Sequence, residues 1–424
     1  MPLAKVLLLS IPVLALALSH TGAASACGGF FPDIQQTETT QVAGHKMILS
    51  ISQTQTTLWD QVSYSGDPSS FAWVLPIKGV VDVGLSADSL FQFLDFQTSV
   101  IVASPTISCD RPPSCGTEPE DRFLGGGGGS STPPPVTVTI TAHAVVGPYE
   151  TVQLHSSDPA ALSTWLTDHN FAIPADIKPL IDSYVSDGFD FLAMKLIPGK
   201  DVTAMRPVRV TMPGASPVLP LRMVAAGTGA TTPVSLLVVG EGRYEAASMP
   251  NLLIDPAQLV WDWDTQSGNY AAVEKAMLAA NQGKAWLVES AANFQLMDLQ
   301  GQIVSNPDDY KDDQGNGGPA GAQAELTALF GTLDPKSIWI TRLHGELSRE
   351  ALAKDLTLGA STDQTPVSRV VTIKNTTGNE PVCPVYLPCP SGCAVTQVGG
   401  VSSMLGGLSL AALALVLARR RKGR

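Results

Sequence analysis

Apolar positions along this chain fall into three regimes. Val6 to Leu18 is a short, mostly apolar run, and Val401 to Ala418 is a longer one without a charged side chain. Between them apolar residues come in brief alternating or clustered runs, broken by Gly, Pro and Asp. Period-two runs rich in β-formers predict strands. They occur at Met47–Ile51, Thr57–Tyr64, Phe71–Ile77, Ser99–Ala103, Val136–Val145, Phe189–Ile197, Val208–Met212, Val218–Ala225, Val234–Val239, Ala285–Val288 and Val367–Lys374. Helical spacing appears at Leu90–Phe96, from the Ser157-Asp158-Pro159 cap to Leu166, at Pro174–Val185, Asn269–Asn281 and Ala320–Phe330. Gly283 supplies the stop for the fourth of these. Strands outnumber helices without strict alternation, so the expected class is α+β, strand-rich and mostly antiparallel, plus one carboxyl-terminal transmembrane helix.

The two terminal apolar runs assign an address. Lys5, the run to Leu18 and then Ala24-Ser25-Ala26 describe a secretory signal peptide over residues 1–26, cut between Ala26 and Cys27. Thirteen residues containing Pro12 are too short to span a membrane. A lipid on Cys27 is the alternative, against which Ala24 stands where such signals carry Leu. At the other end, residues 401–418 cover about 27 Å as a helix, enough to cross a hydrocarbon core. Arg419, Arg420, Arg421 and Lys422 then stop transfer, making 419–424 a basic cytoplasmic tail and placing the domain outside.

The exported part reads as an α+β domain over 27–358, interrupted at 104–135, followed by a Pro/Cys-rich tether over 359–400. The interruption holds Gly125 to Gly129 between proline-rich pieces. No lysine and no helix follow, so it is a flexible insertion and not a phosphate-binding loop. Without Lys5 and the five basic residues of the tail, 20 of the 26 Lys and Arg face 38 Asp and Glu, a net of −18. That surface repels nucleic acid, which is excluded as a partner.

Cys27-Gly-Gly-Phe-Phe31, the turn before Phe71-Ala-Trp-Val-Leu-Pro-Ile77, and Leu90-Phe-Gln-Phe-Leu94 resemble the opening of the bacterial domain of unknown function 2330 family. Trp339-Ile-Thr-Arg-Leu343 and Ala353-Lys-Asp-Leu-Thr-Leu358 resemble its closing element. Gly29 beside Gly28 and the glycine-rich insertion depart from the pattern. The resemblance implies an exported, commonly membrane-anchored protein and assigns no chemistry. Cysteine, Gly399-Gly400, apolar helix and arginine cluster also resemble the carboxyl-terminal sorting segment of myxobacterial surface proteins. That likeness makes Cys393 the candidate for processing and implies sorting machinery, besides export machinery, as a partner. A permanent anchor is the alternative.

Six cysteines remain after export, and their pairing is open. Cys109 and Cys115 flank a five-residue loop and are candidates for a local bridge, while Cys383 and Cys389 join Cys393 in a cluster. Zinc is not expected, because no tight cysteine pairs occur. Asp312, Asn316 and Gly317 follow a calcium-loop pattern, but Gln323 stands where a bidentate Glu is needed. Trp261-Asp-Trp-Asp264 places two indoles on one face, as core packing or as a sugar platform. His45, His143, His155, His169 and His344 show no ligand spacing. No nucleophile-elbow, zinc-protease or dinucleotide motif appears. The expectation is a non-enzymatic binding or structural module with no cofactor and with a protein or glycan ligand unspecified. The alternatives are an envelope hydrolase with scattered site residues and a calcium-binding surface protein.

Overall fold

The computed structural model describes residues 29–32, 41–65, 71–108, 143–154, 160–173, 175, 177–197, 205–226, 228–294, 296–312, 315–334 and 336–383. Its long alternating segments build an eight-stranded sheet. The strand order is Asn251–Leu252, Trp286–Asn293, Ile338–Ser348, Thr231–Glu241, Gln41–Ile51, Gln55–Ser65, Val208–Pro213 and Asp82–Leu85. Its pairings are antiparallel except Thr231–Glu241 with Gln41–Ile51 and Asn251–Leu252 with Trp286–Asn293. A five-stranded, wholly antiparallel sheet runs Gly29–Pro32, Phe71–Ile77, Asp190–Leu196, Tyr149–Leu154 and His143–Val146.

Three apolar clusters explain how these sheets are covered. Met47, Leu49, Leu58, Leu236 and Leu343 of the larger sheet meet Trp73, Leu75, Leu192 and Met194 of the smaller one, so the sheets pack face to face. The outer face of the larger sheet, through Ile48, Trp59, Leu237, Val239 and Ile340, is covered by three helices: α1 (Asp88–Thr98), α6 (Leu296–Ser305) and α7 (Pro319–Phe330). Leu90, Leu94, Leu299, Ile303, Leu326 and Leu329 supply their apolar stripes. On the smaller sheet's outer face, α2 (Ala160–Asp168) and α3 (Lys178–Ser186) bring Leu162, Leu166, Ile181 and Tyr184 onto Val74, Phe191 and Ala193. The result is helix, sheet, sheet, helix in four layers. The α+β, mostly antiparallel expectation is borne out.

Two expected boundaries move. The strand expected over Val218–Ala225 ends at Leu219, because Pro220 has no N–H for a ladder. The short helix α4 (Leu221–Val224) replaces its second half. The folded unit also continues past 358, to Glu380. Strands Val370–Thr372 and Asn375–Thr377 pair with Ile101–Ala103 and Val260–Asp262, and Ile373 between them is fully buried. The first part of the expected tether is therefore packed structure. Thr106–Ser108 and Pro381–Cys383 belong to a second unit. Among the described residues no helix is long and apolar enough to cross a membrane, and Val401–Ala418 lies outside them.

Candidate functional site

On the strand Ile338–Ser348 every second residue faces the outer, helix-bearing side of the large sheet. Ile338 and Ile340 lie under the helices, and Arg342, His344 and Glu346 carry the same face onward into polar surroundings. Cross-strand register sets His344 beside Ser235, Ser235 beside Lys46, and Lys46 beside Gln61. Glu289 reaches this floor through an irregularity. The register of Trp286–Asn293 shifts between Val288 and Ser290, leaving Glu289 as the extra residue of a bulge. Bulges re-aim side chains, and here the carboxylate meets the Arg342 guanidinium.

Arg342 is the centre of the network. Its Nε donates to Glu289 Oε2 at 2.6 Å and its Nη1 to Asp95 Oδ1 at 2.7 Å. Lys46 Nζ donates to the other oxygen of Asp95 at 2.5 Å. Burial opposes ionisation of Asp95, but its bonds to Lys46 and Arg342 hold the carboxyl below its ordinary value. The helix α5 (Tyr270–Ala280) closes one side. From it Glu274 Oε1 stands 3.8 Å from His344 Nε2, which is 3.7 Å from Glu346 Oε1. Burial raises the Glu274 carboxyl despite His344, with Glu289 and Glu346 adding to the rise. Burial first, then Glu289 and Glu274, push the Tyr270 phenol upward, so it stays neutral.

Beside this floor lie two clefts. One, of about 220 Å³, is walled by Leu253, Ile254, Val367 and Val370 and has Tyr270 and Glu289 in its lining. The other, of about 410 Å³, is lined by Thr98, Ser290, Phe294, Ile340 and Arg369. Val367 and Ser368 line both, so the segment 366–372 is a strap between them. The strap is fastened at three points. Val367 exchanges backbone bonds with Ala291 at 2.8 and 2.9 Å, Val370–Thr372 pairs in parallel with Ile101–Ala103, and Arg369 Nη1 donates to the Phe96 carbonyl at 2.9 Å.

The sequence profile of a family described as "Uncharacterized protein conserved in bacteria (DUF2330)" matches residues 21–357. The chain belongs to this family. The resemblance carried by Cys27–Phe31, Phe71–Ile77 and Trp339–Leu343 is thereby borne out, and the matched span takes in Asp95, Tyr270, Glu289 and Arg342. No curated protein and no solved structure matches the chain. The family brings no chemistry to the cleft, so its function rests on geometry.

Most candidate residues read from sequence are not in this site. Ala26, Cys27, Cys109, Cys115, Cys389, Cys393 and Arg419 to Lys422 lie outside the described residues. Cys383 is disulfide-bonded, and its sulfur lies 3.8 Å from the carbonyl oxygen of Ser108. Asp312 turns its carboxylate onto Asn316, accepting from the backbone N–H at 2.8 Å and from Nδ2 at 3.0 Å. Among the described residues no three His, Cys, Asp or Glu side chains are grouped to hold a metal. Trp261 and Trp263 pack edge to face at 6.1 Å, both half-buried with their indole N–H groups shielded. His45 is buried against Asp60 at 3.2 Å, and His169 stacks on Trp165. Of the histidines considered, only His344 joins the cleft floor among the described residues. Sequence reasoning missed Asp95, Glu274, Glu289 and Arg342. The available signal was the alternation of Arg342, His344 and Glu346 with buried Leu343 and Leu347.

Proposed function

We propose that the chain is an exported binding module, held at the bacterial envelope by its carboxyl-terminal segment, with the strap-bridged clefts as its ligand site. One observation carries the binding reading: apolar walls meet a polar floor whose two cations are already paired. Such a cleft orients a ligand with few reorganising groups, as ligand sites commonly do. The floor's two cations, Lys46 and Arg342, are both tied down by carboxylates, which favours recognition over bond breaking. The amino-terminal apolar run, the basic tail and the disulfide at Cys383 support export. Cys393 remains the proposed processing point, and intact mass tests it: loss of Arg424 from the mature protein marks a sorting segment, retention marks an anchor.

The cleft is tested by screening acidic, neutral and basic fragments against the full-length chain in detergent, read by methyl NMR. Hits should shift Leu253, Ile254, Val367 and Val370, and Val367→Glu should abolish those shifts. Hits confined to other methyls would remove the cleft from the account. A hydrolase is the second reading, favoured by Ser235 lying in register beside His344. Labelling of Ser235 by a fluorophosphonate would promote it over binding.

A further inference from the structure

We infer that the smaller cleft takes a compact aliphatic primary amine, its ammonium on Glu289 and Tyr270 and its hydrocarbon against Leu253, Ile254, Val367 and Val370. This rests on the binding reading above and names the ligand class.

The polar end of the cleft is unfinished. Glu289 gives Oε2 to Arg342, and its Oε1 has no hydrogen-bond partner among the described residues. The Tyr270 hydroxyl likewise makes no hydrogen bond among them. A carboxylate oxygen accepts only, and a neutral phenol oxygen also accepts, so the pair asks for a donor with several N–H bonds. An ammonium has three and gains a charge-assisted bond to the carboxylate.

Local charge selects the same partner. Among the described residues Glu289 is the one charged side chain in the cleft's lining, with Glu274 and Glu346 beyond it around His344. An anionic ligand would meet the Glu289 carboxylate at short range and be repelled, whereas a cation is attracted to it. The walls decide the remainder of the molecule. Leu253, Ile254, Val288, Val367, Val370 and Val371 offer hydrocarbon. Leu253 and Val370 are 47% and 45% exposed, with nothing over them among the described residues, so an alkyl group removes apolar surface on both sides. At about 220 Å³ the cleft is smaller than the ~300–1,000 Å³ of drug-sized sites, so its occupant is compact. A free alkyl amine and a lysine side chain share this chemistry.

Calorimetry on the full-length chain tests the inference with four probes: 3-methylbutylamine, N-acetyl-lysine methylamide, 3-methylbutan-1-ol and 4-methylpentanoate. One of the two amines should bind at least tenfold more tightly than the alcohol and the carboxylate, and the amine that does so identifies the source. Glu289→Gln should weaken that amine about tenfold or more while leaving the alcohol unchanged. Because Glu289 also holds Arg342, Tyr270→Phe serves as an independent variant that leaves the ion pairs intact and should weaken the amine severalfold. Equal binding of alcohol and amine, preference for the carboxylate, or no amine binding overturns the inference. Fragment hits at the cleft methyls alongside any of these results would leave the binding reading standing without it.

Discussion

Two ionic networks sit on the same outer face of the large sheet, and they differ in what their surroundings leave open. Around Glu325 everything is closed. Its side chain is 0% exposed, and it accepts from Trp59 Nε1 at 2.9 Å, from Arg209 Nη1 at 2.7 Å and from the Ser86 hydroxyl. Burial raises this carboxyl against the pull of Arg209 and the three donors. Gly84 lets the guanidinium lie flat, since a Cβ there would stand 2.5 Å from Arg209 Nη2. Around Arg342 the pairing is as tight, but Asp95 is 25% exposed and Glu289 borders a cleft. A sealed ion pair fixes how α7 lies on the sheet. A half-open one of similar chemistry leaves an acceptor for something else.

The largest effect should come from breaking the sealed network. Glu325→Ala strands the Arg209 guanidinium in the core and should cost about 3–5 kcal/mol. Urea unfolding checks this, with ligand binding unaffected in whatever fraction remains folded. Arg342→Met should cost less, about 1–3 kcal/mol for partners that can reach water. A variant ranking in the opposite order would erase the distinction between the networks.

Smaller effects separate the two signs of titration inside the Arg342 network. Asp95 is held below its ordinary value, so its contribution is present above the unfolded value and is lost as pH falls through the folded one. Glu274 is raised, so its contribution is full below the unfolded value and is lost as pH rises through the folded one. Asp95→Asn should therefore lower Tm at pH 7, with the gap to wild type closing on acidification. Glu274→Gln should raise Tm at pH 7, with its advantage also fading on acidification. Matched thermal melts from pH 3.5 to 8 read both.

The smallest effect concerns the second unit. The Cys383 sulfur lies 3.8 Å from the Ser108 carbonyl, which makes the next residue, Cys109, its predicted disulfide partner in place of the local Cys109–Cys115 bridge expected from spacing. Peptide mapping without reduction should join Cys383 to Cys109. A Cys109–Cys115 peptide would restore the local bridge.

How much of this was readable in the chain follows from where its information is local. Although Ile338–Ser348 was not read as a strand, the β-former runs Met47–Ile51, Thr57–Tyr64 and Val234–Val239 fall on strands of the large sheet, so the sheet class was legible. The four layers were not, because both faces of each sheet are covered and inner and outer apolar sets look alike in one sequence. The site was least legible. Asp95 reaches Arg342 across 247 positions, and Glu289 arrives through a bulge that no residue type announces. Trp339–Leu343 identified the family, but the importance of Arg342 within it appears only when α1 and the bulge converge.

The most direct test of the account is methyl NMR of the full-length chain titrated with 3-methylbutylamine. Saturable shifts should concentrate at Leu253, Ile254, Val288, Val367 and Val370, with Leu326 and Leu329 beside Glu325 unmoved. Shifts at Leu326 and Leu329 with the cleft methyls silent would contradict it.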